Sequence, residues 1–176
     1  KAKPKLHWID SEKIEKQVTL LEANKEYAGC GTAIINRYEK YATSVYRARN
    51  KEDSIAWHTS LVFRNEGYRY DESIPIGGDF YFMEKVLCGS KKLIYNFEEP
   101  MVLRRIFNVS RNLSSEWMSN FSLSDLLKLN LPITDKLAIL NRILLPRELI
   151  EWIIVKVWGN NIPNKYHEYA TIYQIA

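Results

Sequence analysis

"EKIEKQVTLLEANKEYAGCGTAII", residues 12–35, changes its hydrophobic period halfway along. Ile14, Val18 and Leu21 recur at helical spacing behind the capping candidates Asp10 and Ser11, and predict a helix over 12–23 with those apolar residues on its buried face. Glu12 and Lys16 add an i,i+4 ion pair on its wet side. From Ala28 to Ile35 the run turns continuously apolar, with Gly29 and Gly31 inside it, which suits a buried strand closely approached by other backbone. A helix feeding a buried strand points to an α/β core.

Outward from this pair, residues 36–53 carry no assignable period, and Ile55 to Phe63 reads as a second extended piece ended by the turn signals Asn65 and Gly67. In "IPIGGDFYFMEKVL", residues 74–87, the apolar positions Phe82, Met83, Val86 and Leu87 mark a helix from about Asp79 to Cys88, stopped by Gly89. Two short strands follow, Leu93 to Asn96 and Met101 to Ile106, separated by Pro100. From residue 113 onward the pattern is helical. Ser122 and Asp125 form a capping box opening Leu123 to Leu129, and Thr134 can cap a helix carrying Leu137, Leu140, Ile143 and Leu144. Pro146 sits in the first turn of "RELIEWIIVKVW", residues 147–158, which Gly159 closes. A last segment from Asn164 places Tyr166, Tyr169 and Tyr173 on one face. The layout is an α/β core over residues 1–112 and an all-helical extension over 113–176, without internal repeats.

Composition narrows the function classes. A chain of 176 residues with 46% hydrophobic residues can bury one sizeable core. The net charge of +4 comes from scattered Lys and Arg, clustered only at 1–5 and at Arg104-Arg105, too thinly to indicate a nucleic-acid partner. Cys30 and Cys88 have neither a second Cys nor a His at metal-ligand spacing, so a reduced, cytoplasmic protein is expected. The Asn-x-Ser matches at Asn108, Asn112 and Asn120 read as chance. No apolar run reaches the ~18–20 residues of a spanning helix, which leaves a soluble chain or one peripheral to a membrane surface.

Taken in order, several blocks resemble family-2 glycosyltransferases of the GT-A fold. "WIDSEKIEKQVTLLEANKEYAGCGTA", residues 8–33, is similar to the segment of that family that follows its metal-binding aspartate motif, where a helix leads into a strand. "HTSLVFRN", "GYRYDES", "GGDFYFMEKVLCGSKKLIYN" and "EEPMVLRRIFNVS" match the family's later blocks in the same order, over about residues 8–115. The resemblance implies a partial GT-A mixed sheet with helices and an inverting transfer of sugar from a nucleotide-sugar donor to a saccharide or glycoconjugate acceptor, as in making a surface polysaccharide. It also implies a divalent cation, Mg or Mn, in the donor half. No Asp-x-Asp motif precedes Trp8, so that half, with the nucleotide site and the metal ligands, is absent from this sequence. A GT-A sheet runs on into the donor half. The resemblance therefore predicts an uncovered strand at 28–35, met by self-association or by the 147–158 helix folding over it.

Asp79 stands where the family places its general base, at the start of a helix whose dipole and free N–H groups hold a carboxylate ionised; the alternative is a simple helix cap. Gly77 and Gly78 would let a saccharide approach the backbone. Asp71 and Glu72 match a family turn, as acceptor contacts or as a solvated turn. Arg105 falls at a basic position of the family and could face a diphosphate, or be a surface charge. His58, beside Trp57, opens another block and ranks below Asp79. The departures are Gly78, where the family has an acidic residue, and Phe107, where it has a histidine, so a metal ligand is lost. The rival expectation is a noncatalytic module on a relic scaffold, binding a protein or a membrane surface through its aromatic helical tail.

Overall fold

The computed structural model of the chain describes residues 6–71, 78–89, 91–106, 133 and 147–171. It is an α/β fold around one mixed, six-stranded sheet. Its centre is a parallel pair, β2 (Tyr27–Tyr38) and β6 (Leu93–Ile106). Along the outer edge of β6 lie β1 (Leu6–Trp8), opposite residues 102–104, and β4 (Glu52–Asp53), opposite residues 94–95. Along the outer edge of β2 lie β3 (Thr43–Arg47), opposite residues 34–38, and β5 (Val62–Phe63), opposite residues 29–30. These four flanking strands are all antiparallel to the pair. The polar stretch without a sequence period thus holds the end of β2, all of β3 and β4, and a crossing of residues 48–51 from one edge of the sheet to the other.

The long apolar run of β2 is central because both of its edges are paired and residues 28–36 are buried. Its glycines answer to close neighbours. A Cβ on Gly29 would stand 2.8 Å from the Val62 carbonyl oxygen, and one on Gly31 would stand 2.5 Å from the Ala56 Cβ. On the side away from β6, residues 29–30 and 34–35 are paired with β5 and β3, and between them Thr32 is held by Ser60, so most of this edge is covered by neighbouring sequence where the resemblance predicted an uncovered strand. The two short strands expected around Pro100 are one strand, β6, whose register with β2 slips between Thr32 and Ile34, where Ala33 faces Pro100. Proline lacks the N–H for a regular ladder and is accommodated at that irregularity.

Helix α1 (Lys13–Ala23) forms where expected, but it is rotated. Ile14 and Val18 are 38% and 39% exposed, and the buried positions are Lys13, Gln17 and Leu21. Gln17 explains the rotation: its Nε2 donates at 3.0 Å to the carbonyl oxygens of both Cys30 and Ser60, joining helix, central strand and loop. A buried carbonyl without a donor costs ~1–3 kcal/mol, comparable with burying one aliphatic side chain. Lys13 follows it inside, donating to Gln17 Oε1 at 2.6 Å, and burial lowers its pKa. Asp10 anchors the helix start by accepting the Glu12 N–H at 2.7 Å and pairing with Lys16 at 2.7 Å.

Residues 55–63 are not a second strand. They form a loop with a 3-10 turn at His58–Ser60 that ends in the short β5. Helix α2 (Gly78–Tyr81) runs straight into a π turn at Phe82–Leu87, and Gly89 at φ +54° ends it. The extra residue in the π turn lets Phe82, Met83 and Leu87 all point into the core. Helix α3 (Arg147–Trp158) packs on β3, and the short α4 (His167–Thr171) follows a 3-10 turn at Asn164–Tyr166. Ile162 and Tyr166 join Ile35 and Leu103 in a buried cluster, so this part of the tail completes the core of the sheet. The helices expected over 123–129 and from Thr134, together with Pro146 and Tyr173, lie outside the described residues.

Candidate active site

The buried π turn carries the site. Phe82 is buried with Met83, Ile94 and Ala28, and Tyr70 lies over its ring at 4.1 Å with the planes 13° apart. Tyr70 in turn places its hydroxyl 2.8 Å from His58 Nε2. His58 is held there by its neighbour Ser60, whose Oγ accepts the Thr32 N–H at 2.9 Å and donates to the Thr32 carbonyl oxygen at 3.1 Å, locking the 3-10 turn to β2. Burial raises the Tyr70 pKa, and the nearby negative charge of Asp79 raises it further, so the phenol keeps its proton. Asp79, Tyr70 and His58 thus meet from segments that the sequence keeps apart.

Asp79 is half-buried in the first turn of α2, where its Oδ1 accepts the Phe80 N–H at 3.0 Å. It makes no ion pair with any described residue. At the preceding residue, a Cβ on Gly78 would meet nothing within 4 Å. Packing therefore does not require glycine at 78, and an incoming group can reach the backbone there. Gly77 and Glu72 lie outside the described residues. Asp71 is exposed, next in sequence to Tyr70.

Arg105 is not part of this cluster. Its Nε donates to Glu39 Oε1 at 2.6 Å, a half-buried ion pair at the far end of β6. Ile94 on the same strand touches the π-turn cluster, and ~3.3 Å per residue puts Arg105 roughly 36 Å further along the strand from it.

Residues not singled out as site candidates complete the surroundings. The Arg49 guanidinium lies 4.6 Å from the Trp57 ring and 6.0 Å from the ring of Phe80, next to Asp79. The Arg47 guanidinium lies 5.7 Å from Trp57 and 5.7 Å from Trp158 at the end of α3. The result is an alternating row of aromatic rings and guanidinium groups running from Trp158 to Phe80. Tyr70 was within reach of sequence reasoning, since it sits in the quoted "GYRYDES" block. The arginines lie in the stretch without a period, and no sequence signal marks them. Among the described residues no group of three or more His, Cys, Asp or Glu side chains could hold a metal ion.

No family model matches the sequence, and no curated protein matches it significantly.

Proposed function

We propose that the chain is the acceptor-side portion of a GT-A glycosyltransferase, a cytoplasmic enzyme that moves a sugar with inversion from a nucleotide-sugar donor to a saccharide or glycoconjugate acceptor. The supporting observation is the half-exposed Asp79 at a helix start, with open space before Gly78 and a protonated Tyr70 held by His58 beside it. As the acceptor hydroxyl oxygen bonds to the anomeric carbon of the donor, its proton passes to an Asp79 carboxylate oxygen, and the bond from that carbon to the nucleotide diphosphate breaks. The Phe80 N–H holds the carboxylate in place. Tyr70 and His58 offer hydrogen bonds to the other acceptor hydroxyls, and the Phe82 ring keeps Tyr70 upright. The donor nucleotide and a divalent cation belong to the other half of such an enzyme.

The test is Asp79→Asn in the protein joined to its donor half, assayed with radiolabelled nucleotide sugars. Loss of transfer with an unchanged melting temperature supports the assignment; full transfer with a lowered melting temperature makes Asp79 a cap.

A second reading rests on α3, where Leu149, Trp152, Val157 and Trp158 are exposed at 41%, 49%, 62% and 41%. Exposed tryptophans suit a partner protein or the headgroup region of a membrane. No helix among the described residues is long and apolar enough to cross one. Vesicle flotation of the chain with and without Trp152→Ser separates this reading from sugar transfer.

A further inference from the structure

Tyr70 combines exposure with restraint. Beneath it, Phe82 is 1% exposed and fixed in the core, with the ring of Phe63 edge-on at 5.3 Å. Tyr70 lies flat on Phe82, with ring centres 4.1 Å apart, yet is itself 45% exposed. Since Phe82 covers one face, that exposure falls on the opposite face and on the edges of the ring. At its tip the hydroxyl stands 2.8 Å from His58 Nε2, and the exposed imidazole meets the phenol edge-on at 81°. A surface tyrosine is ordinarily free to change rotamer, but this one is held by a stack below and a hydrogen bond at its end. A flat ligand can therefore meet the outer face without the cost of ordering the ring.

The chemistry of that ligand follows from the surroundings. The face of a tyrosine is apolar and carries the negative part of the ring quadrupole, while its hydroxyl stays wet. The charge of Asp79 reaches the phenol and disfavours an anion there. A single ring is not the cage of several that quaternary cations favour. A neutral ring with weakly positive C–H bonds on its face and hydroxyls around its rim matches both the aromatic face and the polar atoms at the edge. We propose that the outer face of Tyr70 is a stacking platform for a pyranose ring of the acceptor, held with a rim hydroxyl turned toward Asp79. That the bound sugar is an acceptor rests on the sugar-transfer reading; the stacking does not. The acceptor class becomes a pyranose with equatorial hydroxyls, as in a β-glucoside, because an axial hydroxyl on the stacked face would hold the sugar away from the ring.

The test titrates the 176-residue chain with methyl β-glucoside, with sorbitol, which carries hydroxyls but no ring, and with tetramethylammonium, following the Tyr70 ring resonances by NMR. Their disappearance in Tyr70→Leu assigns them. The glucoside should shift these resonances, its own C–H protons should move upfield under the ring current, and it should bind about 10-fold more tightly than sorbitol. Tyr70→Leu still covers Phe82 but has no aromatic face, so it should remove most of that preference with the melting temperature nearly unchanged. Tyr70→Phe keeps the ring and should retain the preference within about 3-fold. Sorbitol or tetramethylammonium binding as tightly as the glucoside overturns the platform, as does a glucoside that leaves the Tyr70 resonances unmoved. A preference that survives Tyr70→Leu, or falls only together with thermal stability, overturns it too. Stacking of the glucoside in a protein whose Asp79→Asn variant transfers sugar at full rate keeps the platform and rejects the base; loss of transfer in that variant without any preference for the glucoside does the reverse.

Discussion

The two ends of the central strand pair are built from different parts of the chain and end in different chemistry. At the amino end, residues 28 and 94 are covered by Ile55, Ala56 and the π turn, all from nearby sequence. At the carboxyl end, Ile35 and Leu103 are covered by Ile162 and Tyr166, which arrive from the far end of the chain. Charged and phenolic groups toward the carboxyl end find partners within the fold, Arg105 with Glu39, the Tyr46 hydroxyl with the Glu98 carbonyl oxygen at 2.7 Å and Tyr169 with Glu99, while Asn36 Oδ1 and Ser44 Oγ are buried there without one. At the amino end Asp79 makes no ion pair with any described residue, Gly78 fronts open space and the Trp57 N–H lacks an acceptor. Charges paired within the fold read as support, and a carboxylate without an ion pair beside open space reads as a place for a ligand.

The largest expected effect falls at the amino end. Asp79→Asn in the protein joined to its donor half should lower turnover by ~10²–10⁴, the range of a positioned general base. Neutralising the Arg105–Glu39 pair by Arg105→Gln should leave turnover within about 3-fold, since a partly exposed pair contributes ~0–1 kcal/mol and sits far from Asp79. Steady-state assays of the two variants decide whether the ends differ in function. If Arg105→Gln is as damaging as Asp79→Asn, the contrast fails.

Support should divide less sharply. Phe82→Ala should cost ~3–5 kcal/mol, because its ring is 1% exposed and underlies both Tyr70 and Phe63. Ile162→Ala, at the margin of the second cluster and 8% exposed, should cost ~2 kcal/mol. Urea unfolding measures both. Equal losses would mean that the tail carries as much of the fold as the π turn.

Alkaline pH probes the interior between the ends. Burial pushes the Cys30 thiol up to about 12 and the Tyr46 phenol up to about 12, against ordinary values of 9.0 and 10.0. Both folded values are raised, so their contribution to stability is complete below pH 9.0 and is lost as the pH rises toward 12. The melting temperature should therefore fall between pH 9 and pH 11, and fall less in Tyr46→Phe, which has no phenol to ionise. An equally steep fall in that variant would exclude Tyr46 as a source.

The smallest effect is expected on the outer face of α1. Ile14→Ser and Val18→Ser should change stability by no more than ~0.5 kcal/mol, as surface substitutions do. Losses above ~2 kcal/mol would show that the face predicted from helical spacing is the buried one after all.

That face illustrates what sequence patterns resolve. The existence of α1, the buried run of β2 with its close-packed glycines, and a helical turn opening at Asp79 and ending at Gly89 were all legible, because local spacing and backbone conformation determine them. The rotation of α1 was not, because two carbonyl oxygens from other segments draw Gln17 inward. Nor was the single strand around Pro100, since only pairing with β2 reveals that the break is a register slip. Of the site, Asp79 and His58 were visible as chemistry-bearing residues in recognisable blocks. Their meeting through Tyr70, the removal of Arg105 to the other end of the sheet, and the stacking of Arg47 and Arg49 on Trp57 depend on which strands pair. By itself, then, the sequence determined an α/β chain with a carboxylate at a helix start. Tertiary structure alone decided which side chains share a surface, because pairing β2 with β6, and folding residues 48–63 back across that pair, sets distances that no spacing along the chain encodes.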